Sequence, residues 1–459
     1  MTADMKGRSC KILCYAGVLL FLFKAFLFFC PSLVLGDAGG LEAPGVDLVA
    51  ISNKVQKKVA ALRNLEFKSS IIPETMSINE AKDYFLKLLS EEMPDEEIKA
   101  IEKTLMKFGL IPADLDLKET LVELFAKNVG GFYDPKGKKL ILVGEAPFVY
   151  QGLWGEVLLA HELTHALADQ HFDLEKFLPS KRGDDDFTLA RQAVGEGDAT
   201  LIMFEYVLMG WDKDAGQLPG LLTMLELSAA IPAPTMLKTL PLVFRENLIF
   251  PYARGYDFVL RIKEKGGWQA VNRLYQAPPS STEEILHPEK FLAGNDKAVK
   301  VRLPDLEKVL GQAYQPLDRN TLGELNLAIL LIEFLGAEEA SKAAVGWAGD
   351  EYASFEANGR ILLIWLTLWD TPKDAREFYS AYTHLVANKY RQEKEENIEP
   401  EEEGVASLWL TEEDLVLVER RGRLVIIVEG MERVLLERLR EALWTERPAV
   451  TQGKEGGLR

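Results

Sequence analysis

A chain of 459 residues with 47% hydrophobic and 27% charged side chains has room for two or three domains, or one large one, and is not a largely disordered sequence. No Gly-X-Y or heptad repeat runs through it, which excludes collagen and coiled coil as readings of the whole chain. A formal charge of −18 makes it a poor partner for nucleic-acid phosphates, and we expect no nucleic-acid binding.

Residues 1–36 read as an address. Lys6, Arg8 and Lys11 precede an apolar run from Ile12 to Leu35, and Val34 and Gly36 fit a cleavage site with Asp37 as the first mature residue. Lys24 splits the run into two pieces of about a dozen residues, short of the ~20 that span a bilayer comfortably. The layout predicts an exported protein, with cleavage favoured over a retained anchor that would attach it to the membrane facing outward. All three cysteines, Cys10, Cys14 and Cys30, lie in this segment. A cleaved product therefore has no disulfides, and any metal must be held by His and carboxylates.

Helical periodicity follows over Ile78–Leu89, Pro94–Phe108 and Leu117–Ala126. GGFYDPKGKKLILV, residues 130–143, predicts a hairpin turning at Asp134, Pro135 and Gly137. Helices are expected over Leu153–Gln170 and Phe187–Leu208, with another starting near Pro251, because Pro suits a first helical turn. Pro232, Pro234 and Pro241 interrupt the stretch between.

The texture changes near residue 303. Helical patterns at 321–335 and 337–345 lead into the strands DEYASFE and ILLIWLTLW, a helix from Pro372 to about Arg391, and an acidic run, Glu393–Glu403, that reads as a solvated loop. ASLWL, a hairpin of LVLV and LVIIV, and a helix over Met431–Trp444 complete the chain before a polar tail after Arg447. The expected fold class is α+β: a mainly helical region over 37–302 with a small edge hairpin, then a smaller α+β domain over 303–459.

Three of the five histidines fall in HELTHALADQH, residues 161–171. His161 and His165 are one turn apart on one helix face, and two imidazoles at that spacing reach a single zinc ion. Glu162 is placed beside them to reach a metal-activated water rather than the metal and to take its proton as the water attacks a carbonyl. The plain alternative, two histidines packed on a buried helix, leaves imidazoles without partners at a cost.

HELTHALAD resembles the active-site helix of HExxH zinc metallopeptidases and is similar to the thermolysin-like form HELTHAxxD, over about nine residues. The resemblance implies a zincin-like catalytic domain with His161 and His165 as ligands of one zinc ion per chain and Glu162 as general base. In the metzincin branch the third ligand is a His within HExxHxxGxxH; the Gly of that pattern is absent here, which favours the gluzincin branch, whose third ligand is a Glu on a following helix. ARQAVGEGDAT, residues 190–200, offers Glu196 in that place, although Thr200 stands where many gluzincins carry an Asp. Glu205 and Asp184–Asp186 compete with it. Asp169 or Asp198 can hold a histidine by its second ring nitrogen.

In zincins an edge strand upstream of the helix adds the peptide substrate as a further strand, and residues 138–144 stand in that position; the plain alternative is a structural hairpin. The oxyanion of peptide hydrolysis needs a donor, for which Tyr252 and His287 are the candidates. His384 reads as structural. These readings predict an exported zinc metallopeptidase acting on a peptide or protein substrate. Two rivals are a non-catalytic zinc-binding or interaction protein on the same scaffold, and an envelope structural protein whose C-terminal domain is the functional part.

Overall fold

The computed structural model describes residues 47–128, 130–144, 152–178, 183–209, 240–294, 297–391, 396–398, 404–412 and 414–445. The leader with its three cysteines, Pro232, Pro234, most of the acidic run Glu393–Glu403 and the tail after Arg447 lie outside the described residues. No described helix is long and apolar enough to cross a membrane.

The first described helix, Leu48–Arg63, is opened by Asp47, whose carboxylate accepts from the Ala50 N–H, and is closed by Asn64 in the left-handed conformation. The three helices expected next form as Ile78–Glu92, Asp95–Phe108 and Leu117–Asn128. Ser77 and Glu80 start the first of them with a reciprocal capping box.

The hairpin forms as β2 (Gly131–Asp134) and β3 (Lys139–Val143), with Phe132 opposite Ile141. A third strand, β1 (Glu74–Met76), runs parallel to β3 and gives the order β1-β3-β2. Residues 139–143 are therefore the middle of a three-stranded sheet, and the edge-strand expectation for 138–144 is corrected: β3 is paired on both sides, and β2 is the edge that faces the following helix.

Three long helices make the centre: Gly152–Phe172, which carries the HELTH motif; Asp185–Leu208, which carries Glu196; and Leu242–Leu274. The last begins at Pro241, not near Pro251, which lies inside it. An internal proline removes one main-chain hydrogen bond at a cost of about 3 kcal/mol. Here the burial of Phe250, Tyr252, Tyr256, Phe258 and Val259 around it outweighs that local rule. Gly266 and Gly267 break the helical geometry further on.

Short helices at Thr282–Leu286, Pro288–Ala293 and Leu306–Leu310 lead to an antiparallel sheet of seven strands. These are β4 (Gln315–Asn320), β5 (Trp347–Ala357), β6 (Arg360–Trp369), β7 (Glu396–Ile398), β8 (Gly404–Thr411), β9 (Asp414–Arg421) and β10 (Leu424–Met431), in the order β4-β5-β6-β10-β9-β8-β7. The near-continuous apolar run of β6 is explained by burial on both faces. Leu363 and Trp365 join a core with the helices Gly323–Leu335, Ala337–Ala344 and Pro372–Tyr390, while Leu362, Ile364 and Leu366 face the helices Leu306–Leu310 and Leu436–Thr445. The last of these helices starts later than the sequence pattern suggests, because β10 continues to Met431.

The fold is mixed α and β, with two sheets. Its largest core takes residues from both sides of position 303. Phe108 meets Tyr352 and Trp365 edge-on at 5.1 and 5.6 Å, so the N-terminal helices pack on the C-terminal sheet as well as on the small one.

Candidate metal centre

The motif helix is buried nearly all round, which the sequence anticipates by surrounding the motif with Val157, Leu159, Leu163, Ala166 and Leu167. These side chains pack with Val55 and Val59 of the first helix and with Leu140 and Leu142 of β3. The opposite face meets the Glu196 helix. That helix is opened by Asp184, whose carboxylate accepts from the Phe187 N–H.

Where the Glu196 helix crosses Leu242–Leu274, the backbones touch. A Cβ at Gly197 would lie 2.2 Å from the carbonyl oxygen of Gly255, and one at Gly255 would lie 2.1 Å from that of Ala193. Only glycine permits this approach. It sets Glu196 and Tyr252, from two different helices, against the motif.

His161 Nε2 lies 3.1 Å from His165 Nε2 and 3.2 Å from Glu196 Oε2, and His165 Nε2 lies 3.6 Å from the same oxygen. A tetrahedral zinc site with bonds of ~2.0–2.1 Å has donor-to-donor edges of about 3.3–3.4 Å, and the three distances bracket that value. The donor set also fits by chemistry: zinc, a borderline cation, accepts two imidazoles and a carboxylate together, and each of the three is about 1% exposed. Two imidazole nitrogens facing each other cannot both carry a proton, whereas both can offer a lone pair to a cation. Among the described residues this is the one group of three His, Cys, Asp or Glu side chains so placed.

Glu162 is buried beside this triangle and is not part of it. Its Oε2 accepts from the main-chain N–H of Tyr133 on β2 at 2.9 Å. Tyr252 is brought to the centre: its ring stacks on His161 with centroids 6.0 Å apart and 24° between planes. Its hydroxyl is buried beside the carboxylates of Glu196 and Glu162. Burial first, then the charges of Glu196 and Glu162, push its pKa well above the usual range, so it is a protonated O–H donor.

His287 is not brought there. Its Nε2 is 2.9 Å from Glu324 Oε1, and that bond raises its pKa above the usual value despite partial burial. The imidazole is committed to the helix Gly323–Leu335. His384 is exposed and pairs with Glu339 at 3.0 Å.

Three of the competing carboxylates are otherwise engaged. Glu205 pairs with Lys263 of the long helix. Asp184 caps its helix, and Asp186 accepts from the main chain of Thr282. Neither expected histidine prop holds a histidine. Asp198 meets Arg63 at 2.8 Å and the Tyr275 hydroxyl at 2.8 Å, all three buried. Asp169 meets the Tyr133 hydroxyl, Lys138 and the Leu174 N–H.

His171 stands ten residues after His161, the spacing of the third histidine in HExxHxxGxxH. The helix runs unbroken past Ala168, where that pattern has its Gly. Six residues of helix carry His171 about 9 Å beyond His165, and its Nε2 meets the Glu66 carbonyl instead.

Three groups around the centre were not singled out by sequence reasoning: Tyr133, Arg63 and Tyr275. Arg63 ends the first helix and lies over the Trp268 ring at 4.4 Å. A cation buried at a helix end carries no sequence mark of its own, and the Tyr133 contact to Glu162 uses the main chain, which every residue has.

A family model described as a domain of unknown function, DUF8575, matches residues 312–440. That range spans the seven-stranded sheet and enters the last helix, and it begins well after the HELTH motif. No curated protein and no solved structure matches the chain.

Proposed function

We propose that this is an exported zinc-dependent metallopeptidase on a zincin-like scaffold of the gluzincin type. The observation that supports it most is the triangle of His161, His165 and Glu196 with Glu162 adjacent and outside it. A pure zinc-binding site has no need of that neighbour. A zinc ion held there supplies Lewis acidity, lowering the pKa of water towards ~7 and polarising a carbonyl. Three protein donors would leave a fourth position for water or substrate, as in catalytic sites and not in structural ones.

In this reading Glu162 takes a proton from the attacking water and returns it to the leaving amine. The Tyr133 N–H keeps its carboxylate turned to the site. Tyr252 donates to the developing oxyanion. The leader, Lys6 to Leu35, carries the protein out of the cytoplasm.

One observation favours a second reading. All three ligands are almost fully buried, which suits a protein that holds zinc without turnover. Glu162→Gln separates the two. It keeps size and one acceptor oxygen but cannot take a proton at neutral pH. We expect zinc content equal to the parent and hydrolysis of a peptide library lower by at least ~10²-fold. His165→Ala should lose both. Equal cleavage by the Gln variant would exclude the mechanism; zinc binding without cleavage by either protein would favour the non-catalytic reading, and a chain purified without stoichiometric zinc would leave the structural one.

A further inference from the structure

Glu162 and Asp169 are seven residues apart, two helical turns, and so share one face of the motif helix. Tyr133, itself buried, touches both: its N–H donates to Glu162 Oε2 at 2.9 Å and its hydroxyl donates to Asp169 Oδ2 at 2.7 Å. The Val143 N–H bonds the Gly130 carbonyl at 2.8 Å, so residues 130, 132 and 134 turn their main chains to β3. Tyr133 therefore turns its own to the motif helix. Asp169 is held in turn: its Oδ1 accepts from the Leu174 N–H at 2.9 Å and from Lys138 Nζ at 3.0 Å.

We propose that Tyr133 and Asp169 are positioning residues for Glu162. The side-chain bond fixes the height of β2 along the helix, and that height decides whether the Tyr133 N–H meets the Glu162 carboxylate. Asp169 thus acts on the base through the strand and not on a metal ligand through a ring nitrogen. The main-chain donor survives any substitution at Tyr133 other than proline. The inference rests on the peptidase reading for the role of Glu162, but the coupling from Asp169 to the Tyr133 amide does not.

The test uses the full chain and the variants Tyr133→Phe and Asp169→Asn. Hydrogen exchange at the Tyr133 amide needs neither metal nor activity. We expect about tenfold faster exchange there in both variants, with the Phe85 and Leu105 amides unchanged. Zinc affinity, read by chelator competition, should stay within about twofold while kcat falls about tenfold at constant KM, the lower range for an outer partner of a site. Unchanged exchange at Tyr133 overturns the proposal. So does a loss of zinc affinity in step with kcat, which would mean that Asp169 acts through the histidines. Faster exchange at Tyr133 without cleavage by any of the proteins, parent included, keeps the clamp and removes the peptidase reading.

Discussion

The seven-stranded sheet and the helical centre both bury carboxylates, but they surround them with different partners. In the sheet, Glu429 accepts from the hydroxyls of Tyr382 and Tyr390 and from Lys389 at 2.6–2.7 Å. Burial alone would raise its pKa, and the Lys389 and Lys107 charges hold it below the usual value. Glu419 meets Arg440 and Arg421 with the same result, and Glu351 meets Arg319 and Arg302. Each is neutralised by a cation of the chain. At the centre, Glu196 reaches two imidazole nitrogens, which offer a positive charge only when protonated. A buried acid is therefore no mark of function by itself; its partners are. Cations close an electrostatic network, whereas imidazole nitrogens gathered around an acid mark a candidate place for a metal.

That contrast is broken most severely at Glu196. Glu196→Ala should keep the fold and lower zinc affinity by more than about 100-fold, beyond what outer partners of a metal site are worth. Metal analysis after dialysis checks it, and equal zinc in variant and parent would shift the third-ligand role elsewhere. Asp198, two residues on, belongs to the other class although it shares the helix. Asp198→Ala leaves Arg63 charged and buried, which should cost about 3–5 kcal/mol of stability in denaturant unfolding. The folded fraction should bind zinc normally.

The centre was legible where side-chain spacing carries the chemistry. The positions of His161, Glu162 and His165 follow from helix geometry alone, and Glu196 was marked by resemblance. Main-chain chemistry was not legible: nothing in FYD announces that the Tyr133 N–H is turned to a helix. The small sheet was misjudged for the same reason, since β1 is built from ETM, three residues with no β pattern, and pairs through its backbone. β4, QPLDRN, was missed because its register with β5 owes little to apolar alternation. The start of the long helix was misplaced because a local preference of Pro251 lost to the burial of its neighbours. In the C-terminal sheet β6, β8, β9 and β10 were legible from apolar runs, whereas β7 forms inside the acidic run read as a loop; the strand order was not legible, since nothing local sets β10 between β6 and β9.

Asp350 sharpens the comparison from the sheet side, because among the described residues no cation neutralises it. It accepts from the N–H groups of Leu322 and Gly323 and the indoles of Trp347 and Trp365. Burial outweighs these bonds and raises its pKa from 3.8 to about 6. The folded state thus prefers the neutral acid. Its contribution to stability is complete below the unfolded pKa and is lost as pH rises through about 6. The unfolding free energy of the parent relative to Asp350→Asn should fall between pH 4 and 7 by no more than about 3 kcal/mol. Denaturant melts across that range measure it, and a flat difference would mean that the four donors hold the carboxylate charged.

The smallest effect on stability discriminates most sharply between the halves. Gly197 and Gly349 are matched: a Cβ at the first would lie 2.2 Å from the Gly255 oxygen, and at the second 2.1 Å from the Val299 oxygen. Neither needs a left-handed backbone, so in both cases Ala acts by pushing two segments apart. The expected cost is about 1–3 kcal/mol each, the usual range for overpacking. The segments differ in what they carry. At Gly349 the push falls between β5 and the segment at Val299, on the seven-stranded sheet. At Gly197 it separates the Glu196 helix from the Tyr252 helix, beside a ligand whose donor atom must stay near 3.2 Å from its neighbour. Gly197→Ala should therefore lower zinc affinity by about tenfold or more, and Gly349→Ala should leave it unchanged at a similar loss of Tm. Equal effects on zinc would mean that the crossing at Gly255 is a packing contact of no special consequence for the centre. A zinc defect confined to Gly197→Ala would tie the closest backbone approach in the helical half to the geometry of the three donors.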